Sequence, residues 1–423
     1  MTTNRAGVLA LSADGAAPNE LHGSALYLMI LALVLVQVID GLDMLSLAFV
    51  GPAISQELGL DRSQLGASIG IVFLGMAIGA IFFGWLAGRL GKKRTLLGVV
   101  GLIGISALAT SRVGGAESLF ALRFLMGLPI GGVFPIAAAM LVDRTPAAGR
   151  TTAVSVMALG GASGAAACGL VASFVVPIFG WRSMFVVTGL LPFLLLPALL
   201  FALPRDGGQG LGEAPGRTLP EAAAGSRGRT TIFGRLLPVT MPLWSASLFC
   251  ALPVYLAAGW LPTLAKAAGA SAGEAALAAS LFTSVGAVGG VMAAQIVDRF
   301  GLRVTPSLTI FAALAMAALG AAIGIHQLPL VSAAAGLLVF GPLTLAGAVA
   351  GQVYPPAIRA FGVGCATAVI RLGATAGPWL GGIALDAGLS NLLLFAIAGG
   401  SVAIGGGSLW LLGRSAEIRR SLA

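Results

Sequence analysis

Long apolar runs broken by short polar stretches dominate the chain. Twelve runs approach the roughly 20 residues that cross a hydrocarbon core as a helix. They cover approximately 25–50, 63–87, 95–111, 117–141, 151–175, 182–203, 236–262, 273–297, 304–325, 329–353, 360–386 and 390–413. The runs are continuous, whereas a transmembrane barrel would show short alternating segments. The longest interruption, 204–235, is rich in Gly, Pro and Arg and separates six runs from six. The pattern predicts an all-α membrane protein of twelve transmembrane helices in two pseudo-symmetric six-helix bundles. A tail of 1–24 precedes a first bundle of 25–203. A central loop of 204–235 leads to a second bundle of 236–413, and a tail of 414–423 closes the chain.

Composition narrows the class. Hydrophobic residues make up 58% and charged residues 9%, against about 25% charged in a soluble domain. A soluble enzyme of this length would lack the polar material for its surface. Glycine is abundant, with 62 residues, as suits membrane helices whose backbones approach closely. Cys168, Cys250 and Cys365 all fall in apolar runs without metal-ligand spacing and read as small core residues. "GVLAL" in the first two dozen residues is too short for a signal-peptide core, so the first long run reads as a retained helix.

Charge orients the helices. Eighteen of the 24 Lys and Arg fall on one side of the predicted membrane and four on the other. By the positive-inside rule both termini and the central loop are cytoplasmic, which predicts a multi-pass protein of the plasma (inner) membrane. The pI of about 10.5 then reflects short basic loops, and no nucleic-acid partner is required. The partner expected on these grounds is the lipid bilayer, and the chain reads as a monomer.

The halves repeat. "GWLAGRLGKKR" follows the second run and "AQIVDRFGLRV" the eighth, with Arg89 matching Arg299 and Gly91 matching Gly301 at the same offset of 210 residues. "DRTPAAGR" follows the fourth run and "YPPAIR" the tenth. Repetition at half length marks a transporter with its site between two bundles.

Four ionisable residues lie well inside the runs: Asp40, Asp43, Arg123 and Arg371. Each costs about 2.5–3.5 kcal/mol at mid-helix on insertion scales, so they are functional candidates. Asp40 and Asp43 stand three residues apart, and Gln37 and Ser46 extend the spacing, which predicts one polar stripe facing the interior. Two acids this close disfavour double ionisation, which suits a proton-coupling pair; the alternative is that they cap a broken helix or pair with Arg123. Arg371 comes from the second half, and its guanidinium fork matches a carboxylate. Arg123 is either a second anion ligand or a structural mate of the aspartates. Trp244 and Tyr255 in the seventh run and Trp379 in the eleventh are stacking candidates for an aromatic ring. His326 reads as exposed, and His22 lies in the tail.

The "G-x-L-x-x-R-x-G-K-K" of Gly84 to Lys93 resembles the signature of the major facilitator superfamily. "IDGLDMLSLAFVGPAI", "RFLMGLPIGGVFP" and "YPPAIRAFGVGCATAVIRLGATAGPWLGG" resemble its aromatic acid/proton symporter family. The resemblance covers the transmembrane part and implies the major facilitator fold. It implies import of an aromatic carboxylate of the benzoate or hydroxybenzoate type with protons, by alternating access. It also implies cytoplasmic gating motifs around Gly84, Arg89, Gly91, Lys92, Asp143, Arg144, Asp298, Arg299, Gly301 and Arg359. The family motif carries an Asp where this chain has Gly88; the second half keeps Asp298, and Asp143 is a substitute. Two alternatives stand beside symport: a proton-coupled antiporter exporting a small compound, and a symporter of a non-aromatic acid. The fifth run, "ALGGASGAAACGLV", lacks the Pro of antiporter motifs. A membrane enzyme would need a nucleophile–base pair or metal ligands, and none is present in the runs. No nucleotide loop, metal motif or cofactor site is expected.

Overall fold

The computed structural model describes residues 21, 23–146, 149–204, 234, 236–354 and 359–414. The expectations for the N-terminal tail, with His22, most of the central loop and the C-terminal tail lie outside these residues. All twelve runs are helices: α1 Ser24–Leu58, α2 Arg62–Leu90, α3 Lys92–Thr110, α4 Ala116–Arg144, α5 Arg150–Phe179 and α6 Arg182–Ala202, then α7 Leu237–Ala267, α8 Ala272–Phe300, α9 Thr305–Ala322, α10 Leu328–Val353, α11 Arg359–Asp386 and α12 Asn391–Arg414. A single 3₁₀ turn, Leu302–Val304, leads into α9. All twelve are long and apolar enough to cross a membrane.

Packing repeats with a shift of six helices. In the first bundle α1 packs on α5, α2 on α4 and α3 on α6; in the second α7 packs on α11, α8 on α10 and α9 on α12. Across the bundles α2 meets α11 and α5 meets α8, which are equivalent pairs under the same shift. Glycines set these distances. A Cβ on Gly79 or Gly131 would strike α4 or α2 backbone, and one on Gly289 or Gly336 would strike α10 or α8 backbone. Without a strong hydrophobic drive between helices in lipid, such close van der Waals approach is what holds them together. The repeated loop glycines have a local cause too. Gly91 and Gly301 both take positive φ, 92° and 72°, where an L side chain is strained.

The cation-rich face carries the α2–α3 and α8–α9 turns. The bundles clasp one another towards the opposite, cation-poor face. There the first bundle offers mainly backbone and the second mainly side chains; Arg62 is the reverse case, its Nη1 donating to the Leu385 carbonyl at 2.9 Å. Pro52 lies inside α1, where the sequence expectation ended the helix near residue 50. A proline within a helix has no N–H and leaves the carbonyl four residues earlier without its helical donor. That carbonyl belongs to Ala48, and Thr263 Oγ1 of α7 donates to it at 3.2 Å. Lys266 Nζ donates to the next carbonyl, Phe49, also at 3.2 Å. Ser280 Oγ of α8 donates to Ala166 of α5 at 2.7 Å. At the start of α2 the N–H groups of Arg62 and Ser63 donate to Asp386 at the end of α11, at 3.2 and 2.8 Å. Asp61 accepts from the third free N–H, that of Gln64, at 2.6 Å. Three of the orphan donors at this helix start are thereby satisfied, two of them only because the bundles are together.

From this end α2 and α11 run antiparallel as a zipper. Gly382 lies on the Arg62 carbonyl, Gly66 on the Pro378 carbonyl and Gly70 on the Thr375 carbonyl. Trp260 of α7 braces the same turn, donating Nε1–H to the Pro378 carbonyl at 2.8 Å. Asp386→Ala removes two charge-assisted hydrogen bonds, each worth about 1.5–3 kcal/mol. With Thr375→Cys in a background without native cysteines, a membrane-impermeant maleimide applied from the cation-poor side should label Asp386→Ala about tenfold faster than the parent, a factor worth roughly 1.4 kcal/mol. Equal rates would show that Asp386 does not hold this face closed.

Candidate transport site

The polar residues of α1 do not form one stripe. An α-helix turns about 100° per residue, so each three-residue step falls about 60° short of a full turn. Over nine residues, from Gln37 to Ser46, the drift reaches about half a revolution. Gln37 is buried where α1 meets Gly160 and Gly161 of α5. Ser46 is fully buried, and its hydroxyl donates to the Asp43 carbonyl at 2.8 Å, so it serves its own helix. The two acids between them are consequently aimed at different surroundings.

Asp43 points into the first bundle with 0% exposure. Its electrostatic neighbours are Arg123 of α4, Thr188 of α6 and Cys168 of α5, all three fully buried. The four lie on four different helices of one bundle. Both Asp43 carboxylate oxygens, Arg123 Nε and Nη2, and Thr188 Oγ1 lack a hydrogen-bond partner. Arg123 Nη1 meets only the thioether of Met126, at 3.5 Å. Of the two expectations for Arg123, anion ligand or mate of the aspartates, its position beside Asp43 within the first bundle favours the second.

Asp40 is partly buried, and its electrostatic partners are Arg371 of the second bundle and Asp43. Arg371 is half-buried at the point where the α2–α11 zipper ends. Its Nη1 contacts the Met76 thioether of α2 at 3.7 Å. One turn of α11 further on, Thr375 Oγ1 donates to the Arg371 carbonyl at 2.9 Å. Tyr255 of α7 meets Phe73 of α2 edge to face, with ring centroids 4.6 Å apart. Asp40, Phe73 and Met76 from one bundle thus gather with Tyr255 and Arg371 from the other. Phe73, Met76 and Thr188 had no sequence signal: two are apolar residues within an apolar run, and a lone Thr is unremarkable in a membrane helix.

The remaining candidates lie elsewhere. Trp379 is 48% exposed and about 12 Å along α11 from Arg371 at 1.5 Å per residue. Trp244 packs beside Tyr354 towards the cation-rich end of the second bundle. Among the gating residues, Asp143 forms an ion pair with Lys92, so the proposed substitute acid is engaged within its own bundle. Arg89 lies over Trp85, 4.2 Å from the ring centroid. Gly84, Gly88, Asp298 and Arg299 are exposed. Arg144 is half-buried and closes α4. Arg359 opens α11, and its side chain lies outside the described set. His326 is exposed as expected, 3.9 Å from Glu274. Among the described residues no group of His, Cys, Asp and Glu could hold a metal.

With this architecture the chain belongs to the major facilitator superfamily, whose family model matches residues 33–341. It is a multi-pass membrane transporter and not an enzyme. It is 31% identical over 386 residues to the 4-hydroxybenzoate transporter PcaK of Pseudomonas aeruginosa, covering 85% of this chain and 86% of that one. It is 32% identical over 397 residues to a gallate transporter of Pseudomonas putida, covering 88% of each. It is 32% identical over 386 residues to the 3-(3-hydroxy-phenyl)propionate transporter of Escherichia coli, covering 89% of this chain and 92% of the relative. Among solved structures a D-xylose-proton symporter matches with a TM-score of 0.73 at 19% identity, covering 92% of this chain and 98% of that one; that likeness concerns the fold.

The buried Asp43–Arg123 pair carries a stability consequence. Removing one partner of a buried pair costs about 3–5 kcal/mol, whereas replacing both by neutral groups costs far less. In detergent, Arg123→Ala should therefore melt well below the parent, and the double variant Asp43→Asn/Arg123→Gln should recover most of the loss. Equal melting of the single and double variants would mean that the two groups do not compensate each other.

Proposed function

We propose that this transporter imports an aromatic carboxylate together with protons, by alternating access of the two bundles. The geometry that carries the reading is Arg371 of one bundle in contact with Met76 of the other, beside the Phe73–Tyr255 ring pair and within electrostatic reach of Asp40. A guanidinium matches a carboxylate with a bidentate fork, and a ring attached to that carboxylate finds aromatic neighbours within reach. The relatives named for hydroxybenzoate, gallate and hydroxyphenylpropionate support the same substrate class.

Coupling follows from charge conservation in a low-dielectric site. A substrate carboxylate that takes Arg371 leaves Asp40 without its cation. An isolated buried carboxylate is costly, so Asp40 takes up a proton. Substrate and proton therefore bind cooperatively. By linkage each favours the other by the same factor. Asp43, balanced by Arg123, is the second proton-coupling position. We place the cation-rich face in the cytoplasm of a plasma (inner) membrane on the positive-inside rule. On that placement the clasped face is the outer one, and the site faces inward. The transporting unit is the monomer, because each bundle supplies half of one site.

Uptake of labelled 4-hydroxybenzoate into proteoliposomes should rise when the outside is acidified. Asp40→Asn and Asp43→Asn should each abolish accumulation above equilibrium. Arg371→Lys should weaken binding at least tenfold, because the planar fork is lost, and Arg371→Ala should nearly eliminate it. The amide analogue should compete poorly. If Arg371→Ala, shown to be folded, binds the acid as tightly as the parent, the assignment of the anion site is wrong.

A further inference from the structure

We infer that Met76 determines specificity, by setting how far from Arg371 the ring of a bound acid can lie. The inference rests on the reading of Arg371 as the anion ligand and goes beyond it to the shape of acid accepted. Met76 lies on α2 one turn after Phe73, so both side chains project to the same side of that helix. Its thioether meets Arg371 Nη1 at 3.7 Å across the bundle boundary. Its carbonyl is pressed against the position a Cβ would take on Gly131 of α4. The backbone of Met76 is therefore fixed, and only its side chain can yield.

A thioether is a weak acceptor for a guanidinium. An arriving carboxylate displaces it and makes charge-assisted hydrogen bonds in its place. The released Met side chain is flexible, and sulfur packs favourably against ring edges. It settles on the ring that has just entered. Phe73 and Tyr255 close the far side, their centroids 4.6 Å apart and one ring from each bundle. The buried Met76 side chain thus touches Arg371 and shares one packed cluster with Phe73 and Tyr255. A ring joined directly to its carboxylate fits beside that side chain. A ring on a two-carbon linker reaches into the volume the side chain occupies.

A pocket discriminates one methylene by about 10- to 200-fold. Competition against labelled benzoate would be measured in proteoliposomes with unlabelled benzoate, phenylacetate, 3-phenylpropionate and hexanoate. Met76→Ala should raise the affinity for 3-phenylpropionate relative to benzoate at least tenfold. Met76→Leu should keep the parent's ratio, because volume is kept, while weakening all aryl acids a few-fold. Phe73→Leu should weaken the aryl acids but leave hexanoate unchanged. A ratio that moves by less than twofold in Met76→Ala overturns the inference. If that variant does not fold, Met76→Val is read in its place by the same criterion. The underlying reading fails separately, and visibly, if the parent protein takes up none of the aryl acids.

Discussion

Four charged groups held inside an apolar body constrain everything else in this protein. Left alone, each would cost several kcal/mol within the bilayer. They are compensated in two pairs with different mechanical consequences. Asp43 and Arg123 belong to one bundle, packed with Thr188 and Cys168, so their pairing travels intact when the bundles rock. Asp40 and Arg371 belong to different bundles, so their pairing is made and unmade by the motion. On the function proposed here, only the second pair senses whether an anion has entered between the halves. A transporter needs that distinction: one charge balance that preserves the fold and one that depends on the cargo.

The clasp at the cation-poor face is built to be released. Beside an apolar cluster that runs across both bundles, it uses hydrogen bonds from second-bundle side chains to first-bundle backbone, at Ala48, Phe49 and Ala166, together with Asp386 on the start of α2. Water entering between the separated bundles can replace each of these partners. The freed carbonyl at Ala48 shows local sequence dictating a global contact. Pro52 withholds one helical hydrogen bond, and the opposite bundle supplies the donor. Glycines at 66, 70 and 382 then let α2 and α11 close to backbone contact, and the zipper runs out where Arg371 begins.

Much of this was legible in the sequence, because membrane insertion imposes strong patterns. Run length gave the helices, the bias of Lys and Arg ordered the loops, and the offset between Arg89 and Arg299 exposed the repeat. The four intramembrane charges stood out for the same energetic reason that makes them functional candidates. Three things were hidden. The i, i+3 spacing of Gln37, Asp40, Asp43 and Ser46 suggested one face, but three such steps accumulate half a turn, and the two acids address different surroundings. Arg123 and Arg371 look alike in sequence, and only the packing of α4 and α11 shows that the first is buried within one bundle while the second stands at the boundary between the two. Phe73 and Met76 are apolar residues in an apolar run, so nothing but tertiary contact distinguishes them from lipid-facing neighbours such as Ile78. Trp379 poses the converse problem: its exposed ring lies about two turns of α11 from Arg371, and sequence alone does not distinguish a stacking residue from an exposed anchor.

The central claim is that an aromatic carboxylate and a proton share one cycle through the Asp40–Arg371 boundary. It is tested most directly by imposing a gradient of 4-hydroxybenzoate, with no initial pH gradient, on proteoliposomes that enclose a pH-sensitive dye. The account predicts that the lumen acidifies much faster with the parent protein than with Arg371→Ala, whose liposomes report only passive entry of the neutral acid. Equal acidification rates, with labelled uptake by the parent protein still observed, would contradict it.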